Sequence, residues 1–208
     1  MANNMPLPTK GNLMNVKRSL SQAKLGYELM DRKRNILIRE MMGLIDNAKQ
    51  LRGEINETYK QAYSALQKAN ITLGICDKIA ETVPVENGLS LSSRSVMGIE
   101  IPTLELEETV IKPHYGIIQT NSAFDEAYIC FDKAKKITVI LAETENAIYR
   151  LAMGVKKSQK RANALKNIMI PYFEESIKYI TENLEEKERE EFSRQKVIKK
   201  MKTKNSQN

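Results

Sequence analysis

An apolar residue returns every third or fourth position from Leu13 to Leu73, and again from Ala127 to Leu184. Globular helices mostly run about 8 to 20 residues, so two periodic stretches of this length predict long helices folded back on each other. In the first, Leu13, Leu20, Tyr27, Arg34, Met41, Ala48 and Ile55 stand seven apart, with Val16, Ala23, Met30, Leu37, Leu44 and Leu51 between them. This is the a/d seam of a coiled coil, with Arg34 as its polar intruder. After Ile55 a second consecutive step of four leads to Tyr59, Ala62, Leu66, Ala69 and Leu73, a stutter that locally unwinds a left-handed supercoil.

The second stretch reads Ala127, Phe131, Ala134, Thr138, Leu141, Glu145, Ile148, Ala152, Val155, Gln159 and Ala162, then slips to Leu165, Met169, Phe173, Ile177, Ile180 and Leu184. Its polar members Thr138, Glu145 and Gln159 cost stability and fix register, as a buried Asn does in a zipper. The expected fold is therefore mainly α, a long antiparallel two-helix coiled coil of the N- and C-terminal segments. Facing residues have numbers that sum to roughly 200, as a turn near residue 100 requires.

The first helix is expected over 9–79, opened by Thr9 after Pro6 and Pro8 and ended before Pro84. A connector follows over 84–118, where the period falls to two: Leu89 and Leu91 alternate with Ser90 and Ser92, and Gly98 precedes Ile99-Glu100-Ile101-Pro102. That pattern predicts a short β-hairpin at the turn end, turning between Ser93 and Gly98. Pro102 cannot donate to a ladder, so its strand is an edge or is bulged there. A lone hairpin is marginal in water and must pack on the helices or on a partner. The second helix, over 120–203, is capped by Asn121 or Ser122 and interrupted by Pro171, which removes the bond to the Asn167 carbonyl and predicts a kink. Arg34 lies near the level of Pro171. Its guanidinium either reaches that carbonyl or Glu174 and Glu175, or snorkels to solvent.

No catalytic set is legible. The chain lacks a phosphate-binding glycine loop, a dinucleotide fingerprint and a Cys/His cluster, and the solitary His114 serves neither as a ligand nor as the base of a triad. No cofactor or metal is expected. Cys76 and Cys130 are too few for a disulfide framework. No apolar run approaches the roughly 18 residues of a membrane span, and the N-terminal residues lack a signal-peptide core. The net charge of +7 is unevenly placed. Lys10, Lys17 and Arg18 near one end and Lys196, Lys199 and Lys200 near the other are gathered at the open end by antiparallel pairing, as a basic tip for an acidic protein cavity, a membrane face or nucleic acid. Nucleic acid ranks lowest, because no aromatics interleave with the basic residues.

The run Lys160-Arg161-Ala162-Asn163-Ala164-Leu165, then Ile170-Pro171, Ile177 to Ile180 and Leu184 to Arg194, resembles the C-terminal signature of the D subunit of the V-type and A-type rotary ATPases. Pro8-Thr9-Lys10, Leu13, Leu20, Ala23, Gly26, Leu29 and Lys33-Arg34 resemble its opening, and Met97 to Pro102 its central hairpin. Asp31 and Asn35 depart from that pattern, as does Arg161 after Lys160. The exchange at Asn35 puts in doubt any ion pair the family makes there.

The resemblance implies a non-catalytic central-stalk rotor on the cytoplasmic side of the membrane, peripheral and not inserted. It would transmit torque between the membrane ion-translocating ring and the ring of A and B subunits, coupling ATP synthesis or hydrolysis to proton or sodium transport. Its partners would be the A and B subunits, the F subunit and the funnel-shaped subunit that joins the stalk to the membrane ring. Nucleic acid would not be among them. On that reading the seam is Leu13, Leu20, Leu37, Met41, Leu44, Leu51, Ile55, Leu141, Ile148, Val155, Leu165, Ile177, Ile180 and Leu184. Arg34 and Pro171 set register and kink, the six basic residues above make bearing contacts, and Met97, Gly98, Ile99 and Ile101 dock a partner. The alternative is a non-rotary coiled-coil adaptor. The γ shaft of F-type enzymes fits less well, because its middle domain needs more than the roughly 40 residues present here.

Overall fold

The computed structural model describes residues 5–107, 112–116, 118 and 120–205; within the expected connector, positions 108–111 and 117 lie outside that set. Among the described residues, four α-helices and one hairpin follow in the order α1 (Lys10–Leu73), α2 (Asp77–Ala80), β1 (Leu89–Val96), β2 (Ile99–Leu106), α3 (Ser122–Ala164) and α4 (Ile170–Asn205). A π-helical segment, Leu165–Met169, lies between α3 and α4. The chain divides into two compact units, one formed by residues up to Lys33 and from Lys157 onward, the other by Arg34–Lys156.

The helix starts follow from side-chain capping. Thr9 Oγ1 accepts from the Asn12 amide at 3.2 Å, and Asn121 Oδ1 accepts from the Phe124 amide at 3.1 Å, each satisfying a donor that a first turn leaves orphaned. α1 ends at Leu73, short of the expected Ile79. Gly74 there takes φ 80° and its amide bonds the Asn70 carbonyl at 3.0 Å, a left-handed exit that glycine makes without Cβ strain. Residues 77–80 then form the separate short α2.

In the unit of the termini, α1 and α4 pair antiparallel, with Lys10 3.0 Å from Glu188 and Lys24 2.9 Å from Glu174. Ala23, Ala162, Ser176 and Ile180 are buried along this unit. Leu165 packs beside Gly26, where a Cβ would stand in ordinary contact, 3.6 Å from Leu165 Cδ1. Pro171 meets no abrupt break. The Ile170 amide bonds the Leu165 carbonyl, and Ala164 and Ile170 keep right-handed helical angles. One extra residue in the turn makes Pro171 the second residue of α4, where a missing amide costs least. The slip of the heptad at Leu165 is the sequence trace of that insertion. It leaves Met169 exposed, while Phe173 stays half-buried and Ser176 is buried. Pro171→Ala is accordingly expected to change stability by less than about 1 kcal/mol, against about 3 kcal/mol for a proline in a regular helix interior. A gain near the larger figure in urea unfolding would show that the π turn relieves nothing.

In the second unit the pairing of α1 with α3 is again antiparallel. Arg52 Nη2 lies 2.6 Å from Glu145 Oε1, the Tyr59 hydroxyl lies 3.1 Å from Thr138 Oγ1, and Tyr63 meets Phe131 edge-on at 5.5 Å between ring centroids. These contacts correct the seam. Thr138, Glu145, Ala152 and Gln159 lie outside the buried stripe of α3, which runs one residue earlier through Thr144, Leu151 and Ser158. Glu145 and Thr138 therefore mark register from the flank of the helix, not from its core.

At the turn end, Ala69, Cys76, Tyr115 and Phe124 form one core cluster, joined by Leu73, Ile79, Val83 and Tyr128. The buried Tyr115 hydroxyl donates to Asp125 Oδ1 at 2.5 Å. Burial, then that bond to a carboxylate, push its pKa up to about 12.

Candidate interaction surfaces

The hairpin is built by a two-residue turn, tighter than the Ser93–Gly98 span read from the serine cluster. Val96 pairs with Ile99, and the turn residues Met97 (φ 51°) and Gly98 (φ 73°) are both left-handed, the mirror-image turn whose twist matches the strands. Serine favours turns as an isolated residue, but here the ladder runs unbroken from Leu89↔Leu106 to Val96↔Ile99. In this register the pairs alternate between bonded and non-bonded, and Ser93↔Pro102 falls on a non-bonded pair. No bulge is needed, because the nitrogen of Pro102 points out of the ladder.

The same parity leaves the Glu100 carbonyl and the Leu104 amide on the free side of β2, and α3 bonds both. Arg150 Nη1 donates to the Glu100 carbonyl at 3.1 Å, and the Leu104 amide donates to Glu143 Oε2 at 3.2 Å. At the base, Lys135 Nζ lies 2.8 Å from Glu86 and 2.9 Å from Asp132. The hairpin thus leaves the turn end and lies along α3 from Lys135 to Gly154. Its tip is fixed by apolar packing: Ile101 joins Leu37, Ala147 and Leu151 in a buried cluster flanked by Met41, Leu44, Val96, Ile99 and Val155. Gly154 makes room for it, since a Cβ there would collide with Ile99 Cδ1.

Of the four residues expected to dock a partner, Ile101 and Ile99 therefore pack against the chain itself, Gly98 serves the turn, and Met97 presents an exposed side chain. Arg34 is half-buried and donates from Nε and Nη2 to Asn35 Oδ1 at 3.4 and 3.2 Å, while Glu174 accepts from Lys24. Sequence reasoning missed Gly154, Arg150 and Glu143. A glycine inside a heptad-patterned helix is the signal for the first.

Electrostatics fix the base of the hairpin. The hydrogen bond from Lys135, helped by the Gly88 amide, holds the Glu86 carboxyl below its ordinary range, and bonding to Glu86 raises Lys135. Partial burial pushes Asp132 up, but Lys135 and Lys136 outweigh it and leave the group lowered. The lowered carboxylates contribute above their unfolded values near pH 4 and lose that contribution as pH falls through their folded values. The raised lysine contributes below about pH 10 and is lost above it. Amide protection at Glu107, whose N–H bonds the Gly88 carbonyl, is expected to fall as the pH drops below about 4, after correction for intrinsic exchange. Unchanged protection at pH 3 would count against the network. In Lys135→Met the acid step should shrink, leaving the part that Lys136 and the Gly88 amide sustain.

The basic residues occupy the other unit. Lys17 and Arg18 are exposed on α1, and Lys196, Lys199 and Lys200 are exposed on α4. Lys10 is tied to Glu188, a hydrogen bond that raises its pKa. Because α1 begins at that level, the turns of α4 after Glu191 have no turn of α1 opposite them. They expose Phe192, Val197, Ile198 and Met201 among the lysines, with Lys196 Nζ 4.7 Å above the Phe192 ring. Among the described residues no group of His, Cys, Asp and Glu could hold a metal ion, and no helix is long and apolar enough to cross a membrane. An open groove along α1, lined by Asn56, Tyr59, Lys60, Tyr63, Ser64 and Gln67, offers no carboxylate or thiol.

Paired long helices with an interposed hairpin and a basic, partly apolar end define a helical assembly subunit. The family model for the ATP synthase D subunit matches residues 12–200. The V-type ATP synthase D subunit of Thermotoga neapolitana is 44% identical over 194 residues, 92% of this chain and 96% of that protein. The A-type ATP synthase D subunits of Thermococcus kodakarensis and Methanosphaera stadtmanae are 34% and 35% identical over 197 and 198 residues, with at least 92% of each chain covered. The chain belongs to the ATP synthase D-subunit family, and so is a component of a V/A-type ATPase.

Proposed function

We propose that the chain is the central-stalk rotor of its complex, a non-catalytic component carrying torque between a membrane ion-translocating ring and a ring of A and B subunits. Its movement would couple ATP synthesis or hydrolysis to the transport of protons or sodium. The observation that carries this reading is the end of α4, basic and apolar at once and extending past the start of α1. A seam of a/d packing resists bending and twisting in a way a loop cannot, and a rotating tip needs modest, largely electrostatic contacts with successive equivalent sites. In this reading Lys10, Lys17, Arg18, Lys196, Lys199 and Lys200 contribute the bearing charge. Arg34 remains the register position, while Pro171 follows the π turn rather than a kink. The hairpin end associates with the F subunit and with the funnel-shaped subunit on the cytoplasmic side of the membrane.

The test is rotation. The complex is purified from its own membranes through a tag on this chain, immobilised through the A subunits, and viewed with a bead on Met97→Cys. ATP-driven stepping of the bead, with A, B and F subunits co-purifying, is the expected result. A bead that stays fixed in an ATP-hydrolysing complex would leave the chain a static adaptor.

A further inference from the structure

The two edges of the hairpin are treated differently. Two outward groups of β2, the Glu100 carbonyl and the Leu104 amide, are bonded by Arg150 and Glu143 of α3. β1 has no such cover among the described residues: the outward N–H and C=O groups of Leu89, Leu91, Ser93 and Ser95 lie on a strand of eight residues of which seven are exposed. Natural edges are blunted by charged side chains, proline, a bulge or brevity; β1 has no proline or bulge, runs eight residues, and carries the single charge of Arg94. Its faces are also distinct. Leu89 and Leu91 share one face with Pro102, Leu104 and Leu106, and Leu91 is 74% exposed. Ser90, Ser92 and Arg94 lie on the other, and among the described residues no acidic side chain is paired with Arg94.

We infer that β1 is a strand-addition site, taking one extended strand from another component of the same ATPase complex. The incoming strand bonds the outward groups of Leu91, Ser93 and Ser95, lays alternate apolar side chains beside Leu89 and Leu91, and places a carboxylate next to Arg94. Main-chain bonds supply affinity in this mode and the alternating faces supply selectivity. The charge of Arg94 selects an acidic strand over a basic one. The inference needs membership of the complex but not rotation, so it stands or falls separately from the rotor reading.

The test compares the full chain alone with the chain in the purified complex by amide exchange, and uses one proline variant. The amides of Leu91, Ser93 and Ser95 are expected to exchange freely in the isolated chain and to slow roughly 100-fold in the complex, as two or three net hydrogen bonds would give. The inward amides of Ser92 and Arg94 should be protected in both. Ser93→Pro places a second proline on the non-bonded pair that already holds Pro102, so the hairpin should survive with its inward amides protected. Retention of the variant in the complex should fall about fivefold, the effect of about one lost hydrogen bond. Ser92→Pro, which removes a donor inside the hairpin, is the control that unfolds it. Outward amides that exchange equally fast in the complex overturn the inference, whether or not a bead on the chain rotates. Protection accompanied by full retention of Ser93→Pro also overturns it, because the edge would then be shielded without being bonded.

Discussion

Ending the chain after Arg189 is expected to abolish coupling between ATP turnover and ion transport while the helices stay folded. The removed residues contribute no buried side chain among those described, and the ion pair of Lys10 with Glu188 lies outside the deletion. Thermal stability of the isolated chain should therefore change little, since surface positions rarely matter by more than about 0.5 kcal/mol. What is lost is the overhanging end of α4: Phe192, Val197, Ile198 and Met201 with Arg194, Lys196, Lys199, Lys200 and Lys202. ATP-driven ion uptake into vesicles should fall to background while ATP hydrolysis persists. Full uptake by the truncated complex would remove the bearing role from this segment. A milder variant, with Lys196, Lys199 and Lys200 changed to glutamine, should show coupling that depends less on ionic strength than the parent, because exposed charges are screened within about 10 Å at 0.1 M salt.

The second large effect is expected in the cluster under the hairpin. Leu151 is fully buried against Leu37, Ile101 and Ala147, and its truncation to alanine loses transfer energy and opens a cavity that these neighbours fill only in part. Leu151→Ala should cost about 3 kcal/mol, within the range for buried leucines. The loss should appear as a lower urea midpoint and as faster exchange of the hairpin amides. Gly154→Leu separates the two packing events. Its side chain would occupy the space of Ile99, lifting the hairpin tip, while a residue of higher helix propensity favours α3 itself. Helix content should hold and hairpin protection should fall. Gly154→Ala lies between: Ile99 must shift its terminal methyl, and the helix gains up to about 1 kcal/mol from losing a glycine. If Gly154→Leu left hairpin protection intact, the notch would not be what seats the tip.

In α1 large apolar residues at Leu37, Leu44 and Leu51 recur among charged ones and leave one phase open; Leu37 is buried and the other two are half-buried. In α3 the phase slips. Alanine, serine and threonine occupy both flanks of the stripe, so a count of spacings favours Glu145 and Gln159 over the buried Thr144 and Ser158. Small residues bury well on close helix approach but weigh little in an apolar count. The hairpin shows the same divide. Alternation and Gly98 indicate its strands, yet the serines of β1 resemble turn residues by type, while Met97 and Gly98 alone make the turn.

The sequence by itself determined the two long helices, their antiparallel offset, the cap at Thr9, the position of the hairpin and the lack of a legible catalytic motif. These follow from local propensity and from spacing, which a single chain carries in full. Only the tertiary structure decided that Ile99 and Ile101 belong to the chain's own core, that Arg150 and Glu143 bond the β2 edge of the hairpin and not the β1 edge, and that a π turn absorbs Pro171. Each of these joins residues whose spacing follows no helical or strand period, or depends on how one turn packs, so no repeat in the sequence marks it.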